Sequence, residues 1–226
     1  MRKPRQARKL HHMIRIGVTG HRPQRLKVAE KKLAARVRGV LLGLMKSWKN
    51  GSRGQGAVLD VISPLAEGTD RIVAREALGL GQRLTALLPF ALSDYEATFS
   101  DSSTTTEFRQ FWEAASERME LKGLANHSEA SYVSVGMVTL ARCDVLLTVW
   151  DGKRAQGRGG TPEILQNALE WGIPIIWVHA TDDRKPVLLL DQQRGKVVPR
   201  LDQAARHGVE LTAARYRNLT VLLKNA

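Results

Sequence analysis

Five apolar runs of six or seven residues alternate with stretches of helical spacing, and this alternation leaves the 226-residue chain little choice of architecture. The runs are Met13 to Thr19 (MIRIGVT), Ala57 to Ile62 (AVLDVI), Arg83 to Pro89 (RLTALLP), Val145 to Trp150 (VLLTVW) and Ile173 to Val178 (IPIIWV). They are rich in β-branched and leucine side chains, and the first, second and fourth stop at a glycine, Ser-Pro or Asp-Gly corner. Helical patterns cover about 26–48, 69–80, 107–118, 129–142 and 162–171. In the first, Val28, Leu33, Val37, Val40, Leu41 and Leu44 recur at three- and four-residue steps, giving one apolar stripe.

Strands this short, alternating with helices, argue for a parallel sheet covered on both faces. The predicted fold class is α/β: a Rossmann-like three-layer αβα sandwich with a mostly parallel sheet. Right-handed crossovers then place the strand-to-helix loops at one edge, where such sheets bind their ligands. The predicted organisation is a basic, flexible arm at 1–12, a Rossmann-like nucleotide-binding domain at 13–180 and a C-terminal extension at 181–226 packing on it. In that extension, Val187–Leu190 and Leu219–Leu223 read as late strands flanking a helix. The polar stretch from Ala91 to Thr106 reads as a long loop, of the kind that serves as a lid or binding segment.

Charge is distributed unevenly. Residues 1–56 hold sixteen of the 35 lysines and arginines and one of the 22 acids, a net +15 that leaves −2 for the remainder. Such a block attracts phosphate-rich partners; a solvated arm and helix face is the plainer reading. No apolar run reaches the ~20 residues needed to cross a bilayer, and Cys143 is the sole cysteine, so no intrachain disulfide forms. A cytoplasmic protein without a membrane partner is expected, as a homo-oligomer. His11 and His12 have no carboxylate or thiol company, and no metal site is predicted.

Three corners at the expected ligand edge carry unusual residues. The first is Gly20-His21-Arg22-Pro23, where a glycine after a strand lets backbone amides approach an anion. Arg22 offers a bidentate fork for phosphate, and His21 a further donor. The second runs from Ser63 through Glu67, Gly68, Thr69, Asp70 and Arg71. Asp70 suits either a helix cap or a ribose hydroxyl, with Glu67 beside it. The third runs from Asp151 to Glu163 and includes Arg158, Gly159, Gly160 and Thr161. There Thr161 reads as the N-cap with Pro162 in the first turn, and free amides at this terminus make a phosphate cradle. Glu163 either complements the helix dipole or serves as nucleophile or base toward a glycosidic carbon.

At these corners the chain resembles the SLOG superfamily, which contains the Smf/DprA DNA-processing proteins and the LOG (lysine-decarboxylase-like) proteins. The Smf/DprA pattern S-G-L-A-x-G-I-D-x-x-A-H-x-x-A-L is matched in spacing by Ser63, Leu65, Ala66, Gly68, Asp70, Ala77 and Leu78, with Pro64 in place of its glycine. The run GRGGTPEI resembles the LOG signature G-G-x-G-T-x-x-E through Gly157, Gly160 and Thr161. Arg158 stands at its second glycine, Ile164 at its glutamate, and Glu163 falls one residue early. The same loop looks like that of nucleoside 2-deoxyribosyltransferases, which use a glutamate nucleophile in the equivalent turn. The resemblance spans about residues 13–180.

It implies a pocket for a nucleotide or nucleotide-derived ligand, held without a further cofactor. The leading expectation is ligand binding at the C-terminal edge of the sheet, as a sensor. The alternatives are an N-glycosidase, phosphoribohydrolase or deoxyribosyltransferase acting on nucleotides through Glu163, and DprA-like binding of nucleic acid with help from residues 1–56.

Overall fold

The apolar runs form strands Met13–Gly20 (β1), Val58–Ser63 (β2), Arg83–Leu88 (β3), Val145–Trp150 (β5) and Ile175–His179 (β6). The computed structural model describes residues 13–49, 58–99, 101–153, 160–189 and 200–225. The predicted arm at 1–12 and the candidate residues Arg158 and Gly159 lie outside the described residues. Between the strands lie helices Glu30–Lys49 (α1), Thr69–Gly79 (α2), Leu92–Glu96 (α3), Ser102–Ala114 (α4), Ser128–Arg142 (α5) and Thr161–Glu170 (α6).

Eight strands make one sheet in the order β4-β3-β2-β1-β5-β6-β7-β8, where β4 is Glu117–Glu120, β7 Val187–Leu189 and β8 Val209–Glu210. From β4 through β6 neighbours are parallel; β7 and β8 run antiparallel at one edge. This is an α/β, Rossmann-like three-layer sandwich. All six residues of β5 are buried, as expected of a strand covered on both faces. Alternate residues divide the core: Val145, Leu147 and Val149 join the stripe of α1 (Leu33, Val37, Val40, Leu41, Leu44). Leu146 and Trp150 pack instead with Ile164, Leu165 and Ala168 of α6.

The chain order reverses between β1 and β5: β2, β3 and β4 extend one way from β1, while β5 and β6 extend the other. Such a switch point opens a crevice outside the strand ends. The helix expected from residue 26 starts at Glu30 because the amides of Lys27 and Val28 both donate to the Ala180 carbonyl beyond β6. The preceding Pro23–Arg25 makes a single 3-10 turn.

Several segments depart from expectation. Ala91–Thr106, predicted as loop, contains α3 and the start of α4. Asp101 caps α4 by accepting from the Thr104 amide at 2.9 Å, and Thr104, Thr105 and Thr106 hydroxyls donate to backbone carbonyls one turn back. The hydroxyl-rich sequence thus serves a helix start, anchored by Tyr95, Phe99 and Phe108 in mutual contact. Residues 117–118, expected to close a helix, begin edge strand β4 beside β3. Leu219–Leu223, read as a strand, lies in helix Ala213–Asn225 (α8), where Leu219 is buried. Gly43 of α1 admits Tyr216 of α8 so closely that a Cβ there would lie 2.4 Å from the ring. A remaining helix, Leu201–Arg206 (α7), stands between β7 and β8 in sequence. Among the described residues no helix is long and apolar enough to cross a membrane.

Candidate functional site

The corners after β1 and β2 are locked together by backbone. The His21 amide donates to Val149 O at 3.1 Å, fixing the first corner to the end of β5. The His21 carbonyl then accepts both the amide of Thr69 at 3.1 Å and its hydroxyl at 3.0 Å. α2 has no side-chain cap, and this carbonyl from a distant strand does the capping. Glycine is required where the loops touch. A Cβ on Gly20 would sit 2.5 Å from the Thr69 side chain, and one on Gly68, at φ 88°, 2.7 Å from His21 O. Leu65 takes a left-handed φ of 60°, a strained choice for a branched residue. The Leu65 carbonyl accepts from Arg71 Nε at 3.1 Å.

The third corner begins at Asp151, just past β5, and ends where Gly160 caps α6. Thr161 is therefore the first helical residue and Pro162 the second, so the helix starts one residue earlier than the sequence suggested. Pro162 has no amide hydrogen and the Glu163 amide donates to Gly160 O, so this terminus offers fewer free donors than expected.

These corners enclose a cavity of about 440 Å³ at the switch point. Gly20, His21, Arg22, Asp70, Gly160 and Thr161 line it, joined by Tyr95 of α3 and Tyr132 and Gly136 of α5. The remaining predicted residues stand around it. Asp151 lies behind His21. Ser63 braces its own turn, its hydroxyl accepting the Leu65 amide at 3.1 Å. Glu67 faces Arg22 at 3.5 Å. Gly68 and Arg71 line a separate groove of about 320 Å³. There Arg71, 2% exposed, reaches Thr104 O and Glu107 and lies over the Phe99 ring at 4.6 Å. Glu163 lines a third groove, of about 180 Å³, with Trp150, Arg200 and Leu201. Its neighbour Ile164 faces the main cavity instead. Among the described residues no cluster of His, Cys, Asp and Glu is placed to hold a metal ion.

Two carboxylates dominate the electrostatics. Asp151 Oδ2 accepts from Arg25 Nε at 3.1 Å and from its terminal nitrogen at 2.6 Å. Its Oδ1 accepts the Lys153 amide at 3.0 Å and lies 2.9 Å from His21 Nε2. The imidazole contact is bent, and Nε2 has no aligned partner. Burial alone would raise the Asp151 pKa; the Lys153 amide, His21 and Arg25 together hold it down at about 2. Burial pushes the His21 imidazole below its usual value, against the pull of Asp151, which leaves the ring neutral at pH 7.

Asp70 is in the opposite condition. Burial raises its carboxyl to about 7, only partly offset by the Ala66 amide, donating at 3.2 Å, and by the more distant Arg22 and Arg71. Tyr95 is wholly buried, and its hydroxyl has no hydrogen-bond partner. Burial and the nearby Asp70 raise its pKa well above that of a free phenol. Sequence reasoning missed Arg25, Tyr95 and Tyr132. An isolated tyrosine in the polar run SDYEATF was the available signal for one of them; nothing local marked Arg25 as the partner of Asp151.

Fold and cavity together define a class: an open, doubly wound α/β sheet with a pocket of mixed polar and apolar lining at its switch point. No family model and no curated protein matches the sequence. Solved structures do resemble the fold. DNA processing protein A (DprA) from Streptococcus pneumoniae superimposes with a TM-score of 0.54 at 14% identity, over 92% of this chain and 61% of that one. DprA from Helicobacter pylori, solved in a study of its single-stranded DNA binding mode, gives 0.51 at 16% identity, over 94% and 81%. The present chain thus spans about three fifths of the pneumococcal protein's length. At these identities the likeness is one of fold.

Proposed function

We propose that this protein binds single-stranded nucleic acid and takes one nucleotide of the strand into the switch-point cavity. The observation that carries the reading is the grading of that cavity from a cationic mouth to a buried polar end. Arg22 is 42% exposed at its side chain, whereas His21, Asp70 and Tyr95 are 4%, 6% and 0% exposed as residues. A phosphate stays hydrated beside Arg22 while the base enters the cavity beside the half-buried Tyr132, an aromatic face of the kind single-strand binders use. Two further facts support it: the fold likeness to DprA and the +15 concentrated in residues 1–56. The resemblance of the second corner to the Smf/DprA pattern points the same way.

Anisotropy of a fluorescein-labelled oligothymidine, titrated with protein at several salt concentrations, tests the proposal. Log Kd is expected to rise with log salt by about 0.7 per phosphate contacted. Arg22→Ala is expected to cost about 1.5–3 kcal/mol, roughly ten- to a hundred-fold in Kd. Salt-independent binding, or an unchanged Arg22→Ala, sinks it.

A second reading, a sensor for a free nucleotide, draws on the cavity's volume of about 440 Å³, within the range of roughly 300–1,000 Å³ common for small-ligand sites. Mononucleotide that binds while labelled strand does not would favour it. The glycosidase reading has Asp70, and not Glu163, as the acid lining this cavity.

A further inference from the structure

We propose that Asp70 and Tyr95 form a base-reading end to the cavity, selecting a nucleobase that presents N–H donors beside a carbonyl, guanine above the others. This rests on the strand-binding reading and deepens it.

The starting observation is an unmet hydrogen-bonding group in a fixed place. The Tyr95 ring is held edge-on by Phe90, Phe99 and Phe108, at centroid distances of 5.5, 5.2 and 5.6 Å. Aromatic packing alone accounts for its position, and phenylalanine would pack equally well. The hydroxyl is nonetheless present, buried, without a partner, on a residue lining the cavity. Native proteins rarely bury such a group unless something arrives to satisfy it.

Asp70 has the complementary lack. A carboxylate has room for about four donors, and among the described residues one amide, that of Ala66, donates to it. The nearest cations are engaged elsewhere: Arg71 with Leu65 O, Thr104 O and Glu107, and Arg22 with Glu67. The cavity end therefore has an acceptor with spare lone pairs and, buried just beneath its surface, a hydroxyl without a partner.

An unstacked base offers its pairing edge to such groups. Guanine presents a carbonyl, a ring N–H and an amino group in a row; a carboxylate takes the two N–H groups side by side and a hydroxyl donates to the carbonyl. Adenine and cytosine each put a ring lone pair beside their amino group, facing the carboxylate. Thymine flanks its one N–H with two carbonyls. Only guanine meets both groups without setting lone pair against lone pair.

The test, at pH 8 where the Asp70 carboxyl is ionised, uses the full chain and oligothymidine probes carrying one central guanine, hypoxanthine, adenine or cytosine, with Kd from anisotropy and melting temperature from calorimetry. The guanine probe is expected to bind about ten- to a hundred-fold more tightly than the adenine and cytosine probes, with hypoxanthine, which lacks the amino group, between them. Asp70→Asn is expected to erase the preference while all probes still bind. Tyr95→Phe is expected to weaken the guanine probe several-fold and to leave the melting temperature unchanged or raised. Equal Kd values across the wild-type panel, or variants that shift every probe alike, overturn the base-reading inference and leave strand binding standing. Failure of every probe to bind overturns both.

Discussion

Two aspartates stand at the same sheet edge, and their protonation goes in opposite directions. Asp70 is 6% exposed and Asp151 is only half-buried as a residue; Asp151 is held at about 2 and Asp70 rises to about 7. Burial pushes both upward, and Asp70, the deeper of the two, further. Partners complete the difference. Asp151 has an arginine fork, an amide and an imidazole edge, all from its own chain. Asp70 has one amide. The comparison separates a carboxylate that completes the frame from one left open toward the cavity. Depth and partner count within the folded chain together thus mark out a ligand-facing group.

The largest expected effect falls on the frame. Asp151→Ala strands the Arg25 guanidinium, 31% exposed, and removes the anchor behind His21. Breaking such a pair is expected to cost about 3–4 kcal/mol, read as a lowered midpoint in urea. The pH profile carries the sign. A depressed acid contributes stability above its unfolded value near 4, lost as pH falls toward 2. Wild type is therefore expected to lose more stability than the variant across that acid window. Equal acid sensitivity of the two proteins would show that Asp151 is not the partnered group described here.

Asp70→Asn is expected to act with the opposite sign. An acid raised from 3.8 to about 7 makes the folded state bind more protons than the unfolded chain between those values. Wild-type stability then falls as pH rises from about 4 to 7 and levels off above. The groups that face this carboxyl are Arg22, Arg71 and Tyr95. Their moderation and water in the cavity keep the effect to about 1–3 kcal/mol. The variant is expected to be the more stable protein at pH 8, with the gap narrowing toward pH 5. Calorimetric melting at the two pH values checks this, and a gap that widens on acidification breaks the contrast between the two aspartates.

The frame was far more legible in the sequence than the open end of the cavity. Strands β1, β2, β3, β5 and β6 announce themselves because burial on both faces demands unbroken apolar residues, as in VLLTVW. Gly20 and Gly68 were marked by their position after strands, and the backbone contacts that require them are what the motif spacing encodes. β4 was not legible: ERME is an exposed edge strand, where pairing with β3 alone decides the conformation and the side chains carry no pattern. α3 and the first turn of α4 hid behind a hydroxyl-rich stretch whose polar groups face their own backbone. The same stretch hid Tyr95, whose place in the cavity depends on α3 existing at all. Residues 213–225 repeat the lesson, since an apolar end such as Leu219–Leu223 fits strand and helix alike until Tyr216 meets Gly43.

The smallest expected effect concerns Glu163, the residue that the sequence made the candidate nucleophile. α6 starts one residue earlier than Thr161 as N-cap would have it. Ile164 faces the cavity, where it packs so near Gly136 that a Cβ there would lie 2.3 Å from Ile164 Cδ1. Glu163 lines the groove shared with Trp150 and Arg200. Glu163→Gln changes charge outside the cavity and is expected to move strand Kd by no more than about twofold, the span of an ordinary surface substitution. A tenfold loss of affinity would place Glu163 in contact with the ligand after all. Release of free base from a nucleoside monophosphate by wild type, abolished in Glu163→Gln, would go further. It would make the open carboxylate of the comparison the bystander and Glu163 the chemical centre.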